Sequence, residues 1–597
     1  MKRNNQILPG IAASPGIAIG QAYLHRDQDS FVIPRTPIRA EEIQQEMDRF
    51  RSAQDKVRKD LLFIRRKISE VLGENYAEII DTHLAVLDDH ELQQQVQSYI
   101  SDHLINAAVA YKVIINQYIQ LLNDGESEYF RDRVLDIKEV KQRVLRILLN
   151  RQSGYIELET AGPVILAARY LTPGDIITLG MGRVKGFVAE YGGPTSHVAV
   201  LAKAFKIPTV LGIHNLLYTL QSGEKLIVDG GKGEVIVRPD FETESHYRIE
   251  ITKIHDYEND LISRIGEQSE TTDKHLVELA ANLGLAFEVD NAIAFGAKAV
   301  GLYRSEYIYL MKHREPREDE LFSEYRYVVE KMAGKNVVLR TFDLGGDKMT
   351  AILKKDQRRE DNPFMGYRAI RISLDRTDMF LTQLRAMLRA SAFGQISIMF
   401  PMITRIEELI KAKEYVEIAK GQLRAANIDF QEEIPLGVLV EVPSAALLAD
   451  RLAKEVNFFS IGTNDLTQYI LAVDRGNEKV KDLYCHYDPV MIRVLKWIID
   501  AGRRGGLPVS VCGEMAGEHL AIPLLIGMGV SGLSMAPIYL NEARDIIRQV
   551  SFLECEALAD EIIKMSAREE IIQKLEQFLQ DKLRNRSYPT YFFSAYK

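Results

Sequence analysis

Between positions 43 and 71 apolar side chains return in steps of three and four: Ile43, Met47, Phe50, Ala53, Val57, Leu61, Ile64, Ile68 and Val71. That spacing lays one stripe along a helix, and such a stripe needs partners to cover it. Segments 76–87, 91–105, 107–122 and 129–149 follow with the same habit, and their short polar links favour antiparallel packing. A helical bundle is therefore expected over 35–149. On either side the period changes. Residues 7–23 alternate short apolar stretches with Gly, Pro and Ala, and from Gly162 onward β-branched runs at 164–166, 186–189, 209–211, 225–228 and 234–237 are separated by glycines. These read as strands of one small α/β domain, built from 1–34 and 150–240 and interrupted by the bundle.

A charged segment poor in glycine, 241–271, reads as a linking helix. Beyond it, apolar runs recur at 276–283, 299–302, 337–339, 396–400, 436–440, 458–461, 509–511 and 532–535, with helical stretches between them. Eight β/α repeats in about 270 residues match the size of a (β/α)8 barrel. The expected fold class is thus multidomain α/β: an α/β domain with an inserted helical bundle, followed by a (β/α)8 TIM-type barrel over 272–575 and a C-terminal tail at 576–597.

Composition narrows the function. A chain of 597 residues exceeds what one core supports, which agrees with several domains. No stretch of about 18 uncharged apolar residues occurs, and the N-terminus lacks a signal core, so a soluble, cytoplasmic protein without membrane insertion is expected. Three cysteines, Cys485, Cys512 and Cys555, form no disulfide framework and no Cys-x-x-Cys pair. A net charge of -9 with no basic stripe argues against nucleic acid as a partner.

Candidate chemistry concentrates in two places. The first is Gly192-Gly193-Pro194-Thr195-Ser196-His197, entering an apolar helical stretch closed by Lys203. Glycines before a helix let backbone N–H groups and the helix dipole face an anion. A neutral histidine there can attack phosphorus if its other nitrogen is held by a hydroxyl. Spacing alone leaves a plain helix-capping loop equally open.

The second is the carboxyl ends of the barrel strands, where such folds carry their chemistry. Arg304 follows the second run, Arg340 the third, Glu441 the fifth, Asn464 and Asp465 the sixth, and Cys512 the seventh. Lys348 and Arg368 lie in glycine-rich stretches nearby. Guanidiniums facing one mouth clamp a small polyanion. Glu441 and Asp465 suit Mg²⁺ shared with substrate oxygens, though rim ion pairs would use the same residues. Cys512 suits a proton donor to a carbanion, though a buried free cysteine is more often packing.

Taken together, these blocks resemble Enzyme I, the phosphoenolpyruvate (PEP)-dependent phosphotransferase family of the bacterial sugar phosphotransferase system. The stretches that carry the resemblance run from Gly192 to His197, Leu302 to Glu306, Arg340 to Lys348, Asn362 to Arg371, Met399 to Met402, Phe458 to Tyr469, Ala472 to Asn477 and Cys512 to Glu514. The resemblance implies that His197 takes the phosphoryl group. It implies that Arg304, Arg340, Lys348, Arg368, Asn464 and Arg475 contact PEP, that Glu441 and Asp465 hold Mg²⁺, and that Cys512 protonates the enolate of pyruvate. It further implies a phosphohistidine domain, a helical insert that docks an HPr-type phosphocarrier protein, and a homodimer formed through the barrel; onward transfer from His197 to the carrier then requires a hinge around the linker at 242–268.

Two positions depart from the family pattern: Pro194 and Lys203 stand where arginine is familiar, and Pro194 removes a charge beside the phosphoryl group. Dikinase-type relatives need a large ATP-grasp domain, and the helical stretch lacks the glycines and strands for one. The nitrogen-related form carries an added N-terminal sensory domain, whereas this chain opens on the strands, so the sugar-type form is expected. A PEP-sensing protein without turnover is the remaining rival, and His197, Glu441, Asp465 and Cys512 argue against it.

Overall fold

A computed structural model describes residues 5–25, 33–72, 80, 83–123, 128–149, 163–171, 175–176, 184–193, 197–312, 314–345, 362–475, 477, 480, 483–584 and 588. The chain divides into two compact units, one within residues 1–255 and one spanning 256–588.

The first unit is built on one eight-stranded sheet. Three strands precede the helices: β1 (Gln6–Pro9), β2 (Ile11–Ser14) and β3 (Ile17–His25). Five follow them: β4 (Val164–Ala168), β5 (Val184–Ala189), β6 (Thr209–Leu211), β7 (Lys225–Asp229) and β8 (Glu234–Val237). Their order across the sheet is β1-β8-β7-β3-β4-β5-β6-β2, so strands from both sides of the insertion interleave. Alternation along each strand divides two cores. Leu166, Phe187 and Ala189 face the helices, while Ile165, Ala167 and Val188 face the opposite side with Leu226, Val228 and Val235.

Among the described residues the long helices between β3 and β4 are Ile43–Leu72, His90–His103, Ala107–Asn123 and Glu128–Leu148. The stripe seen in the sequence is the buried face of the first: Phe50, Ala53, Val57, Leu61 and Ile64 pack with Val96, Ile100, Tyr111, Val140 and Val144. Each Val, Leu, Ile or Phe side chain among them contributes about 1.5–3 kcal/mol on burial. The second helix starts on the Asp89 side chain, which accepts from the Leu92 N–H at 3.0 Å, and ends where Leu104 turns left-handed at φ 48°. Half of the expected 76–87 helix, residues 76–79 and 81–82, lies outside the described residues; 80 and 83–87 are helical. The linking helix is Phe241–Ser263, shorter than the 241–271 expected, because the chain turns through Gly266.

In the second unit eight parallel strands close into a barrel: β9 (Glu278–Leu283), β10 (Ala299–Arg304), β11 (Val337–Arg340), β12 (Ile396–Phe400), β13 (Leu436–Val440), β14 (Phe458–Ile461), β15 (Val509–Val511) and β16 (Gly532–Met535). All eight expected runs coincide with these strands to within two residues, with β10 running two residues further and β11 one. Arg304 and Arg340 end their strands rather than following them. Apolar content stops at Leu302 and Leu339, yet the ladder continues, pairing Arg304 with Arg340 and Arg340 with Met399. Inside, Leu302, Val338, Met399, Leu439 and Cys512 form one cluster with Phe458. By the two-residue period Arg304, Arg340 and Glu441 point the same way as Leu302, Val338 and Leu439, one layer nearer the mouth. The barrel interior is tight elsewhere: a Cβ on Gly301 would stand 2.4 Å from Ser534 Oγ. The sequence-based boundary at 575/576 falls inside the helix Arg568–Leu583, whose Ile571, Leu575, Leu579 and Leu583 are buried.

Candidate active site at the barrel mouth

Arg340, at the end of β11, is buried and paired twice, with Glu306 and, at 2.9 Å, with Asp343. Burial alone would depress a guanidinium, but those two carboxylates outweigh it and raise Arg340 above its ordinary value. Asp343 also holds Arg368, Nη2 to Oδ1 at 2.9 Å. Burial pulls the Asp343 carboxyl upward, and the two arginines reverse this and keep it below the usual range. Arg304, half-buried at the end of β10, adds its positive charge to the same carboxylate.

Arg368 reaches the mouth because its backbone bridges to Gly345 and Ala369 donates to Leu344 O at 3.0 Å. Its guanidinium continues the chain of charges, 3.4 Å from Asp465 and 3.2 Å from the Tyr469 hydroxyl. Asp465 lies in the first turn of the helix Thr463–Leu471, where the dipole favours an anion, and Arg475 stands 3.7 Å from its other oxygen. Asn464, one residue earlier, exchanges two hydrogen bonds with Glu514: Nδ2 to Oε1 at 3.0 Å, and the Glu514 N–H to Oδ1 at 2.9 Å.

Glu441 directly follows β13 and is only 2% exposed. One of its oxygens accepts from the Met402 N–H at 2.7 Å, and Met402 has a left-handed φ of 54°. Burial, with the Asp343 and Asp465 carboxylates beside it, pushes the Glu441 carboxyl well above its usual range, against Arg340 and Arg368. Gly462 makes room for it, since a Cβ there would stand 3.1 Å from Glu441 Oε2. Buried carboxylates crowded in this way suit a hard divalent cation. Among the described residues no group of three or more His, Cys, Asp or Glu forms a metal cage, so two carboxylates would leave further positions to substrate and water.

Cys512 directly follows β15, its backbone N–H bonded to Ile461 O at 3.1 Å and its Sγ 3.7 Å from the same oxygen. Burial pushes its thiol up to about 11, with Arg340 among the groups pulling the other way. The thiol is therefore a neutral proton carrier at ordinary pH.

The structure thus brings Arg304, Arg340, Arg368, Glu441, Asn464, Asp465, Arg475 and Cys512 to one end of one barrel. Lys348 lies outside the described residues, as do Pro194, Thr195 and Ser196. His197 belongs to the first unit and opens the helix His197–Ala204, after Gly192 with φ +130°.

Sequence reasoning gave no role to Glu306, Asp343 or Asn282. The first two carried a signal, an acid two residues after Arg304 and another three after Arg340. Asn282 is a polar residue inside an apolar strand, and its amide donates to Cys512 O at 2.9 Å and Ser534 O at 3.2 Å.

Residues 262–552 match the PEP-utilising enzyme, PEP-binding domain; residues 160–233 match the PEP-utilising enzyme, mobile domain; and residues 9–133 match the PEP-utilising enzyme, N-terminal family. The phosphoenolpyruvate-protein phosphotransferase of Priestia megaterium is 40% identical over 566 residues, covering 95% of this chain and 98% of that one. That of Haemophilus influenzae is 38% identical over 576 residues, covering 96% and 99%. An Enzyme I structure solved by NMR aligns to 42% of this chain and 99% of its own, with 32% identity and a TM-score of 0.36. The chain belongs to the phosphoenolpyruvate-protein phosphotransferase family of PEP-utilising enzymes.

Proposed function

We propose that the protein transfers the phosphoryl group of PEP to its own His197 and then to a histidine of an HPr-type phosphocarrier protein, the first step of sugar uptake by a phosphotransferase system. The observation that carries this reading is the line of alternating charge at the barrel mouth, Arg340–Asp343–Arg368–Asp465–Arg475, beside Cys512. A small trianion with a carboxylate and a phosphate matches several guanidiniums held at fixed spacing.

In this reading Arg304, Arg340, Lys348, Arg368 and Arg475 bind the PEP oxygens with Asn464 and neutralise charge that would repel an incoming nucleophile. Glu441 and Asp465 would hold Mg²⁺, which supplies electrostatic stabilisation of the phosphate and carboxylate oxygens when bound. His197 attacks phosphorus in line through a neutral ring nitrogen, forming the N–P bond as the bond to the enol oxygen breaks. The leaving enolate takes a proton at carbon from the Cys512 thiol and becomes pyruvate. Protonation draws the reaction forward, because the keto form is far more stable than the enol.

The helices Ile43–Leu72 through Glu128–Leu148 serve as the docking surface for the carrier, the barrel mediates a homodimer, and the protein works in the cytoplasm. No helix among the described residues is long and apolar enough to cross a membrane. Phosphorylated protein mixed with a purified HPr-type carrier tests the partner. Label passing to the carrier supports the reading, and label remaining on this chain sinks the assigned partner.

A further inference from the structure

Below Asn464 lies a chain of polar side chains with no part in the reaction described above. The Tyr484 hydroxyl is 3.1 Å from the Asn464 carbonyl oxygen and 3.1 Å from His486 Nε2. His486 Nδ1 is 3.0 Å from Glu518 Oε1, and the other Glu518 oxygen accepts from the Tyr487 hydroxyl at 2.5 Å. Glu518 closes the 3-10 turn Glu514–Gly517, whose first residue exchanges two hydrogen bonds with the Asn464 side chain. The chain is therefore a ring: Asn464 to Tyr484, His486, Glu518, back along the backbone to Glu514, and so to Asn464. It joins a PEP-contacting residue to the segment that begins two residues after Cys512.

His486 is 7% exposed and lies just before the helix Pro489–Arg504, whose start is fixed by Asp488 accepting from the Val490 N–H at 2.9 Å. We propose, on the basis of the PEP reaction assigned above, that His486 is a positioning residue for that site, holding Tyr484 against Asn464 and Glu518 against the Cys512 loop.

Counting hydrogens gives the proposal its sign. A neutral ring that donates from Nδ1 to Glu518 has only a lone pair at Nε2. Tyr484 has one hydroxyl hydrogen, and Nε2 and the Asn464 carbonyl then compete for it. An imidazolium donates from both nitrogens, so Tyr484 accepts from Nε2 and gives its hydrogen wholly to Asn464. The ring is complete only when His486 is charged.

The neighbouring groups are of both signs. Glu518 and Tyr484 face the imidazole directly, and Tyr487 donates to Glu518. Arg475, Glu514 and Asp465 act on Tyr484, and Arg568 and Asp488 act on the adjacent Cys485.

The test is single-turnover pyruvate release from the full chain with Mg²⁺ and varied PEP, at pH values from about 6 to about 8. Wild type is compared with His486→Leu, His486→Gln and Tyr484→Phe. His486→Leu is expected to raise the half-saturating PEP concentration about threefold to tenfold at the lower pH, with a smaller change in maximal rate. The ratio of variant to wild type should fall toward one as the pH rises. His486→Gln, which keeps a donor toward Tyr484, should recover part of the loss without the pH dependence. Tyr484→Phe keeps the ring packing, should reproduce the His486→Leu effect, and carries the test if that variant fails to fold. Wild-type saturation and an unchanged ratio at every pH in both variants overturn the positioning role alone. No pyruvate from wild type overturns this proposal and the PEP reading together.

Discussion

Arg340 and Asp343 face each other across 2.9 Å at the end of β11, and the second oxygen of the same carboxylate holds Arg368 at the same distance. One buried acid thus sets the spacing of two guanidiniums. Removing one partner of a buried pair leaves the other uncompensated, at a cost of about 3–5 kcal/mol. Asp343→Ala is expected to lower stability by about 3 kcal/mol and to raise the half-saturating PEP concentration at least about tenfold. Asp343→Asn, which keeps an acceptor, should do less of both. Denaturant melts and pyruvate release measure the two effects, and an unchanged PEP dependence in Asp343→Ala would show that the arginines do not need this spacer.

Gly462→Ala probes the carboxylate pair. The added Cβ would press on the Glu441 side chain, 3.0 Å from its Cβ and 3.1 Å from Oε2. The Mg²⁺ concentration for half-maximal pyruvate release should rise several-fold, and chelation should abolish release in both proteins until Mg²⁺ is returned. Equal Mg²⁺ dependence in the two proteins would place the metal elsewhere.

Cys512 should resist alkylation at neutral pH. Its thiol is pushed up to about 11 by burial, so the thiolate fraction climbs about tenfold per pH unit until that value is reached. Iodoacetamide labelling of the native protein, mapped by mass spectrometry in a Cys485→Ser background, should therefore be slow at pH 7 and rise steadily toward pH 10. Fast labelling at pH 7 would mean a thiol already ionised and unfit to give a proton.

The bundle depends on its stripe. Leu61 is fully buried among Phe50, Val57 and the facing helices. Leu61→Ala is expected to cost about 2–5 kcal/mol, because the neighbours only partly close the cavity. A loss below about 0.5 kcal/mol in a urea melt, the range of surface substitutions, would show that the first helix packs more loosely than described.

The barrel was legible because buried parallel strands are short continuous apolar runs, and eight of them with helical stretches between leave few alternatives. The position of Arg304, Arg340, Glu441 and Cys512 at strand ends was legible for the same reason: the apolar run stops where the mouth begins. What the sequence did not disclose was pairing across distance. Nothing local says that Asp343 reaches Arg368, 25 residues on, or that Asn282 on β9 reaches the Cys512 carbonyl. The ring through His486 was equally hidden, since Asn464, Tyr484 and Glu518 come together only through loops between strands. The helix that begins at His197 was foreseeable from the glycines before it.

The central claim is that PEP phosphorylates His197, and the direct measurement uses PEP labelled at phosphorus. Full-length protein is incubated with Mg²⁺ and labelled PEP, in wild-type and His197→Ala forms, and the bound label is tested for acid lability. The account predicts acid-labile label on wild type without any ATP, about one per chain, and none on His197→Ala. Label that persists in the variant, or wild type that takes up none, would contradict it.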